Sequence, residues 1–500
     1  MKRFNTLLLL LALAFSLSAQ VNEPYVLADF SENELGKMVE ICHKGGFDIL
    51  IQKTPFSTYG HYEWNESFAP RGNRSVEQMV TAAEDAGVQL GVWVQENAVG
   101  TDDPFFSSEY LNQYRKGSQL QLYSALSAEE TTIVMRRNEE LKTPSTLNLI
   151  MIDDELISYS TLEFSGELTL IHRCTRGAFG TKASAHDIDA EAYRIWDSPE
   201  QFVEPEGELR EMVRQSLDKK LQFFPVKLYQ GEVNQELIDE SIRVSHGERW
   251  EKEGDNLSSL GLFVIRATDK RRMGTTMEEL EWMLSKAACF GVGYGLVIDP
   301  KAMKSHGMLD DMLATMKRWN RLLRAGELTE RQKQLLLDPY LDWHLEEDST
   351  GYKLYSQSTS RRYPCHLEEV EPGVLRSETW TWDAEKGGSF GLRILVEGEV
   401  EILNPMVSTS QGLVMFPCAV KPGQRLFYDF GETACVVDAN YNKLEEVVVE
   451  GLAELDEEDS KVYFLCEVNP ETQQLPLVTL RYITREHSES VFIHDVPNKW

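Results

Sequence analysis

The strongest constraint on the fold is a unit that occurs twice in the first hundred residues: an amphipathic helix, a glycine, then an apolar strand. From Glu32 to Lys44, helical spacing puts Leu35, Met38, Val39 and Cys42 on one face. Gly45 and Gly46 supply a helix stop, and Phe47 to Ile51 follows as a strand that is apolar except for Asp48. Ser75 is expected to cap the next helix, with Gln78 three residues on in capping-box register. Val76, Met79, Val80 and Ala83 form its apolar face, Gly87 ends it, and Val88 to Val94 is the next strand. A strand apolar along its whole length is covered on both faces. Repeated helix, glycine and buried strand therefore predict βα units and a parallel sheet.

The rhythm breaks over residues 113–200, which read as β structure. Leu147 to Ser160 holds two apolar runs around Asp153-Asp154, a hairpin signal. Leu168 to Arg173 is a further strand, and Arg176 to Thr181 is a turn punctuated by Gly177 and Gly180. The α/β pattern resumes near Gly207. Helices are expected over Leu209–Leu221, Thr276–Phe290 and Met308–Leu323, and strands over Val226–Tyr229, Leu262–Ala267 and Tyr294–Ile298. Weaker strand signals lie near Leu27 and Leu335. After Leu335 the chain reads as short strands about 8–14 residues apart with turn residues between, the spacing of a β-sandwich. The predicted class is α/β: a (β/α)8, TIM-like barrel with a small inserted β module and a C-terminal β-sandwich, a shorter open sheet being the alternative. The expected boundaries are 1–19 for a signal peptide, 20–112 and 201–333 for the barrel, 113–200 for the module and 334–500 for the sandwich.

The first twenty residues carry the layout of an export signal: Lys2 and Arg3, an apolar run from Thr6 to Leu17, and Ala19 before Gln20. A periplasmic or secreted protein is expected. A retained anchor is the other reading, although the apolar run is short for a membrane span of about 20 residues. No later segment is apolar enough to cross a bilayer, and Cys42 lies too far along to be a lipid-modified cysteine at the cleavage site. The net charge of −31 argues against nucleic acid as a partner but is neutral toward uncharged glycans. The seven cysteines are scattered with no CxxC pair, so a zinc ribbon is not indicated. Cys418 and Cys435 either bridge or are buried thiols. No metal or organic cofactor is implied, and oligomeric state is left open.

In a parallel barrel, function collects at the C-terminal ends of the strands. The candidates by that rule are Gln52 and Lys53; Gln95, Glu96 and Asn97; Gln230 and Glu232; Arg266 and Asp269; and Asp299. There is no GxSxG elbow, HExxH helix or phosphate-binding glycine loop. Carboxylates at several strand ends suit glycoside chemistry, in which one protonates the leaving oxygen while the other attacks the anomeric carbon or activates water. Glu232 ranks first as a catalytic carboxylate, with Asp299 or Glu96 as its partner. The plain alternatives are a surface loop residue for Glu232 and a cap or turn residue for Asp299. Segment 55–70 is rich in aromatics, and His61 and Trp64 are expected either to meet a sugar or to fold down as a local core. Lys53, Gln230, His246 and Arg266 complete the expected substrate-binding set. Trp93, Trp380 and Trp382 read better as core, and His172 and His186 of the module receive no catalytic role.

Three runs carry a family likeness: LGKMVEICHKGGFDILIQ, PFSTYGHYEWNESFAP and MVTAAEDAGVQLGVWVQEN. Together they resemble the (β/α)8 barrels of secreted glycan-degrading proteins of gut Bacteroidota. The segment IDDELISYS with LIHRCTRGAFGTKASAH is similar to the β insertion of those proteins. The resemblance implies a glycoside hydrolase-like protein with a poly- or oligosaccharide as substrate. Such barrels commonly carry a D-G-x-E run at the tip of the fourth strand, whereas this chain has Tyr229-Gln230-Gly231-Glu232. The departure keeps two other readings open: a carbohydrate-binding barrel without catalysis, and a structural or assembly protein. A lyase acting on an acidic polysaccharide, with Lys53, Tyr59 and Arg266 at the uronate, is a further enzymatic variant.

Overall fold

The computed structural model describes residues 23–491 apart from 199–200, 230–235, 238–242, 255–256, 340, 349–350, 361, 383–386 and 458–459. The expected signal segment and two expected site residues, Gln230 and Glu232, lie outside the described residues. Contacts group the chain into two compact units, one built on residues 29–36 and 51–230, the other on 21–28, 37–50 and 231–500.

The α/β elements are β1 (Tyr25–Ala28), α1 (Leu35–Gly45), β2 (Ile49–Gln52), α2 (Asn73–Asp85), β3 (Gln89–Val94), α3 (Gly207–Leu221), β4 (Val226–Tyr229), α4 (Arg243–Glu253), β5 (Ser259–Ile265), α5 (Met277–Phe290), β6 (Gly293–Ile298) and α6 (Leu309–Ala325). In the first unit β4 pairs with β3 in parallel, Val226 opposite Gly91 through Tyr229 opposite Val94. A Cβ at Gly91 would stand 2.8 Å from the carbonyl oxygen of Val226, so this strand keeps a glycine where backbones come close. In the second unit β6 pairs in parallel with β1 and with β5, and β5 pairs in parallel with the short strand Glu236–Leu237.

Two local expectations are corrected. Helix α2 starts at Asn73, with Gly72 at its cap in the left-handed region at φ 58°. Ser75 therefore lies inside the helix, where its hydroxyl donates to Glu32 Oε2 at 2.6 Å, and Gln78 accepts from Arg71 instead of closing a capping box. The signal near Leu335 is helical: Leu335 lies in Glu330–Leu337, capped by Thr329 with Gln332 in box register. Leu27 does lie in a strand.

The inserted segment folds as two antiparallel sheets. Ile133–Arg136, Leu168–His172 and Thr161–Ser165 make one, in that order; Lys116–Leu120, Ala192–Ile195, Leu149–Ile152 and Glu155–Ser158 make the other. Asp153-Asp154 is the hairpin turn, with Asp153 at φ 48°. Among the described residues C-terminal to α6 are two antiparallel sheets of eight strands each. They share one apolar core that includes Leu392, Ile394 and Val396 from one sheet and Ile402, Val407 and Phe464 from the other, which makes a β-sandwich. Strands β7 (Phe390–Glu397), β8 (Arg425–Tyr428) and β9 (Leu477–Val491) are neighbours in the first of these, β7 in the middle. Trp382 is buried edge-on against Tyr482, and the half-buried Trp380 packs on Tyr363. All seven cysteines are free, Cys418 and Cys435 among them.

One buried polar cluster ties the module together. Arg176 forks onto both carboxylate oxygens of Glu155, each at 2.8 Å. His186 sits between Glu155 and Asp153, 2.8 Å from each, and the Gly177 and Ser184 N–H groups donate to Glu155 as well. Burial by itself would raise the Glu155 carboxyl, but Arg176, His186 and the two N–H groups hold it down, from an ordinary 4.5 to about 2. A carboxyl depressed in the folded state stabilises fully above its unfolded value and loses that contribution as pH falls toward the folded one. The module is thus expected to lose on the order of 3 kcal/mol between about pH 5 and pH 2. Glu155→Gln is expected to remove that pH dependence and to lower stability at pH 7 by about 3 kcal/mol. Amide exchange in strands Leu149–Ile152 and Glu155–Ser158 measures both.

Candidate functional site in the loops after β2 and β3

Strand β2 is buried along its length and ends in Gln52, which is 2% exposed. The Gln52 amide is used at once: Phe30 N–H donates to its Oε1 at 3.3 Å, and its Nε2 donates to Asp29 Oδ1 at 3.4 Å. Thr54 N–H also donates to Asp29 Oδ1, at 3.0 Å. The chain therefore leaves the strand along a fixed path, with the Lys53 side chain exposed.

The aromatic segment that follows folds back on itself through an antiparallel bridge between Phe56 and Trp64. Trp64 is buried, stacked on Phe56 at 5.2 Å and flanked by Phe68, Phe223 and Phe224. Its indole N–H donates to Asn73 Oδ1 at 2.7 Å. Of the two outcomes open to this segment, Trp64 takes the local core.

His61 instead stays partly open to solvent. Its backbone N–H donates to Asp103 Oδ2 and its Nδ1 meets Asp103 Oδ1, both at 2.8 Å. Phe105 N–H donates to Asp103 Oδ1 at 2.9 Å, and the imidazole stacks on the Phe105 ring at 3.9 Å. The Asp103 side chain is fully buried while that of His61 is 37% exposed. A carboxylate only accepts, so Nδ1 carries a hydrogen, and in the neutral imidazole the lone pair is on Nε2. Gly60, at φ 127°, makes this approach possible, because a Cβ there would stand 2.6 Å from the Asp103 carboxylate.

The β2 and β3 loops are stitched together. Tyr62 OH donates to Gln95 O at 3.0 Å, and Gly100 N–H donates to Tyr59 O at 2.8 Å. Glu96 is exposed beside Gln95, and Asn97 takes a left-handed turn at φ 51°. Lys53, His61 and Glu96 thus belong to one pair of joined loops.

The second unit uses its expected residues differently. Asp299 does end β6, but its Oδ1 accepts from the N–H groups of Lys301 (2.7 Å) and Ala302 (3.2 Å) and so caps the turn that follows. Arg266 lies just past β5 and turns toward α5, where its Nη2 is 3.3 Å from Glu279. His246 lies within α4 and stacks on the buried Trp250 at 5.3 Å, and burial, then Arg249, pushes its pKa down. Asp269 accepts from the N–H groups of Arg271 and Arg272. Asp103, Phe105 and Asp29 were not singled out from sequence. Asp103 stands in an Asp-Asp-Pro run that reads as a turn, and its partner is 42 residues away. Among the described residues no group of three or more His, Cys, Asp or Glu is placed to hold a metal ion.

No protein-family model matches the chain, and no curated protein matches it in sequence. Solved structures do show similarity. A maltogenic alpha-amylase, AmyB, from Thermotoga neapolitana has 8% identity and a TM-score of 0.30, over 88% of this chain and 99% of that one. An Anoxybacillus alpha-amylase has 9% and 0.34, over 91% and 99%. The trehalose-6-phosphate hydrolase TreA of Bacillus licheniformis has 8% and 0.26, over 89% and 99%. The architecture described above stands on strand pairing and not on these likenesses.

The His61–Asp103 arrangement makes two substitutions informative. Gly60→Ala combines an unfavourable φ with a clash at Asp103 and is expected to cost about 1–3 kcal/mol. Asp103→Asn keeps the shape but places an NH2 group against a donor, with an expected cost of about 1–3 kcal/mol. Imidazole nitrogen NMR is expected to show a single Nδ1–H tautomer for His61 in the parent and a mixture in Asp103→Asn.

Proposed function

We propose that this chain is an exported, glycoside hydrolase-like protein acting on a poly- or oligosaccharide, with its parallel strands arranged as a (β/α)8 barrel. One observation carries this reading: a half-exposed imidazole, stacked on Phe105 and oriented by a buried carboxylate, in the joined loops at the C-terminal ends of β2 and β3. Sugars are bound by aromatic faces together with a few oriented polar groups. His61 Nε2 is suited to accept from a sugar hydroxyl, Lys53 to donate to one, and Glu96 is an exposed carboxylate of the same loops. Hydrolysis needs two carboxylates. Glu232 and Glu96 are the pair proposed here. Asp299 is the reserve, since one of its oxygens already caps a turn. Carboxylate acid/base chemistry of this kind calls for no metal.

Export is supported by the charged and apolar layout of the first twenty residues. Among the described residues no helix is long and apolar enough to cross a membrane. A second reading, a barrel that binds glycan without cutting it, is favoured by the capping role of Asp299 and the ion pair that holds Arg266, and by Gln230 where an acid is common.

The test is release of sugar from a panel of plant and host glycans by residues 20–500, with Glu232→Gln, Glu96→Gln and His61→Ala alongside. Loss of a catalytic carboxylate is expected to lower kcat about 10²–10⁴-fold, and His61→Ala to raise KM more than it lowers kcat. Hydrolysis that survives both carboxylate changes would remove the assignment. Retained affinity for a glycan with no product would select the binding reading.

A further inference from the structure

Three arginines share one face of a sandwich sheet. In β7, Arg393 lies directly opposite Arg481 of β9 and opposite Phe427 of β8. The next row on that face is Thr479, Leu395 and Arg425. Like charges placed directly across a strand pair repel, so this arrangement demands counter-charge. The first turn of α5 and the residue after β8 supply some. Glu278 meets Arg393 Nη2 at 3.1 Å, and the exposed Asp429 meets it at 2.6 Å. Burial would raise the Glu278 carboxyl, but Arg393 and Arg481 hold it below its ordinary value. Tyr441 OH donates to Gly274 O at 3.0 Å and pins the segment before α5 to the sandwich.

A cavity of about 70 Å³ remains between that segment and the sheet, lined by Arg362, Arg393, Arg425, Arg481, Glu278 and Tyr441 among others. Four arginines thus line the cavity beside Glu278; Arg393 is already shared between Glu278 and Asp429, and Arg481 Nε donates to Ser360 O at 3.1 Å. Arg425 is 7% exposed, its Nη1 donates to Asp438 O at 3.3 Å, and its guanidinium sits 5.1 Å over the Tyr441 ring. Its Nε has no hydrogen-bond partner among the described residues. A buried donor left without an acceptor is costly, and a guanidinium matches the geometry of carboxylate, sulfate and phosphate oxygens. The volume admits one such group with little else, well below the roughly 300–1,000 Å³ of pockets that enclose a whole ligand.

We propose that this arginine-lined cavity binds a small oxyanion group, either a free tetrahedral anion or the acid group of a saccharide. The proposal does not depend on the reading of the first unit's loops. The test is calorimetric titration of the full chain with sodium sulfate, inorganic phosphate and sodium glucuronate, at ionic strength held constant with sodium chloride. One saturable site per chain is expected, with Arg362→Gln and Arg425→Gln each weakening it about tenfold or more, the equivalent of one charge-assisted hydrogen bond. Arg362 is exposed, and its Nη2 reaches only as far as Met273 Sδ at 3.7 Å, so Arg362→Gln decides the matter if Arg425→Gln disturbs folding. Sulfate or phosphate binding without glucuronate binding identifies a free anion as the occupant, and the reverse identifies a sugar carboxylate. Absence of saturable binding with all three, or binding undiminished in Arg362→Gln, overturns the proposal.

Discussion

Parallel pairing governs where chemistry can stand in this protein. Parallel neighbours cannot be joined by a tight turn, so each strand must open into a crossover. Strands β2, β3 and β6 are buried along nearly their whole length and leave little place for a working polar group. Strand β2 shows the consequence residue by residue. Ile49, Leu50 and Ile51 are apolar and buried, and Gln52 is polar but bound on both sides of its amide. The first side chain free to meet a ligand is Lys53, after the strand has ended. The loops carry the candidate site because the strands have little room for one.

Charge adds a second constraint. The chain has 81 acidic against 50 basic residues, so most carboxylates must lie in water. The few that are buried are each matched. Asp103 receives His61 and two backbone N–H groups, and Glu155 receives Arg176 and His186. Glu281 receives His344 at 2.7 Å and the Trp319 indole N–H at 3.1 Å. A buried charge that loses its partner costs more than a pair that never formed, so these clusters behave as all-or-none units. On the arginine face of the sandwich the cations are the more numerous, and Glu278 and Asp429 both pair with Arg393.

What the sequence made legible follows from interaction range. Helix α5 was readable from Thr276 to Phe290 because its apolar period is local, and the structure adds a Thr276–Glu279 capping box and a Gly291 stop. The Asp153-Asp154 hairpin and the strands of the sandwich were readable for the same reason. The Ser75 and Gln78 pattern was equally local but misleading. Gly72, in the left-handed region, starts α2 earlier, and Ser75 is claimed by Glu32, 43 residues away. Leu335 has strand-like neighbours, Leu336 and Leu337, yet Thr329 and Gln332 cap a helix there. Within the site His61 was visible as a polar residue in an aromatic loop. Asp103, which orients it, was not, since nothing local links the two. The arginine face was hidden for a stronger reason: Arg393 and Arg481 become neighbours only once strand register is known, and register has no signature in a single strand.

Asp299 and His61 show why an address at a strand end does not settle a role. Both follow buried strands, and both are hydrogen-bonded. Asp299 precedes Pro300, and the next two N–H groups open a helical turn with no acceptors of their own. A short carboxylate at that position is captured by them, which is what Lys301 and Ala302 do. His61 has two ring nitrogens and a buried carboxylate that needs only one of them. The fold engages Nδ1 and leaves Nε2 without a protein partner among the described residues, on a side chain 37% exposed. What separates a structural residue from a functional candidate here is the hydrogen-bonding capacity that remains after the backbone and the buried charges have been satisfied. By that measure the joined β2 and β3 loops retain capacity that the Asp299 turn has already used in part.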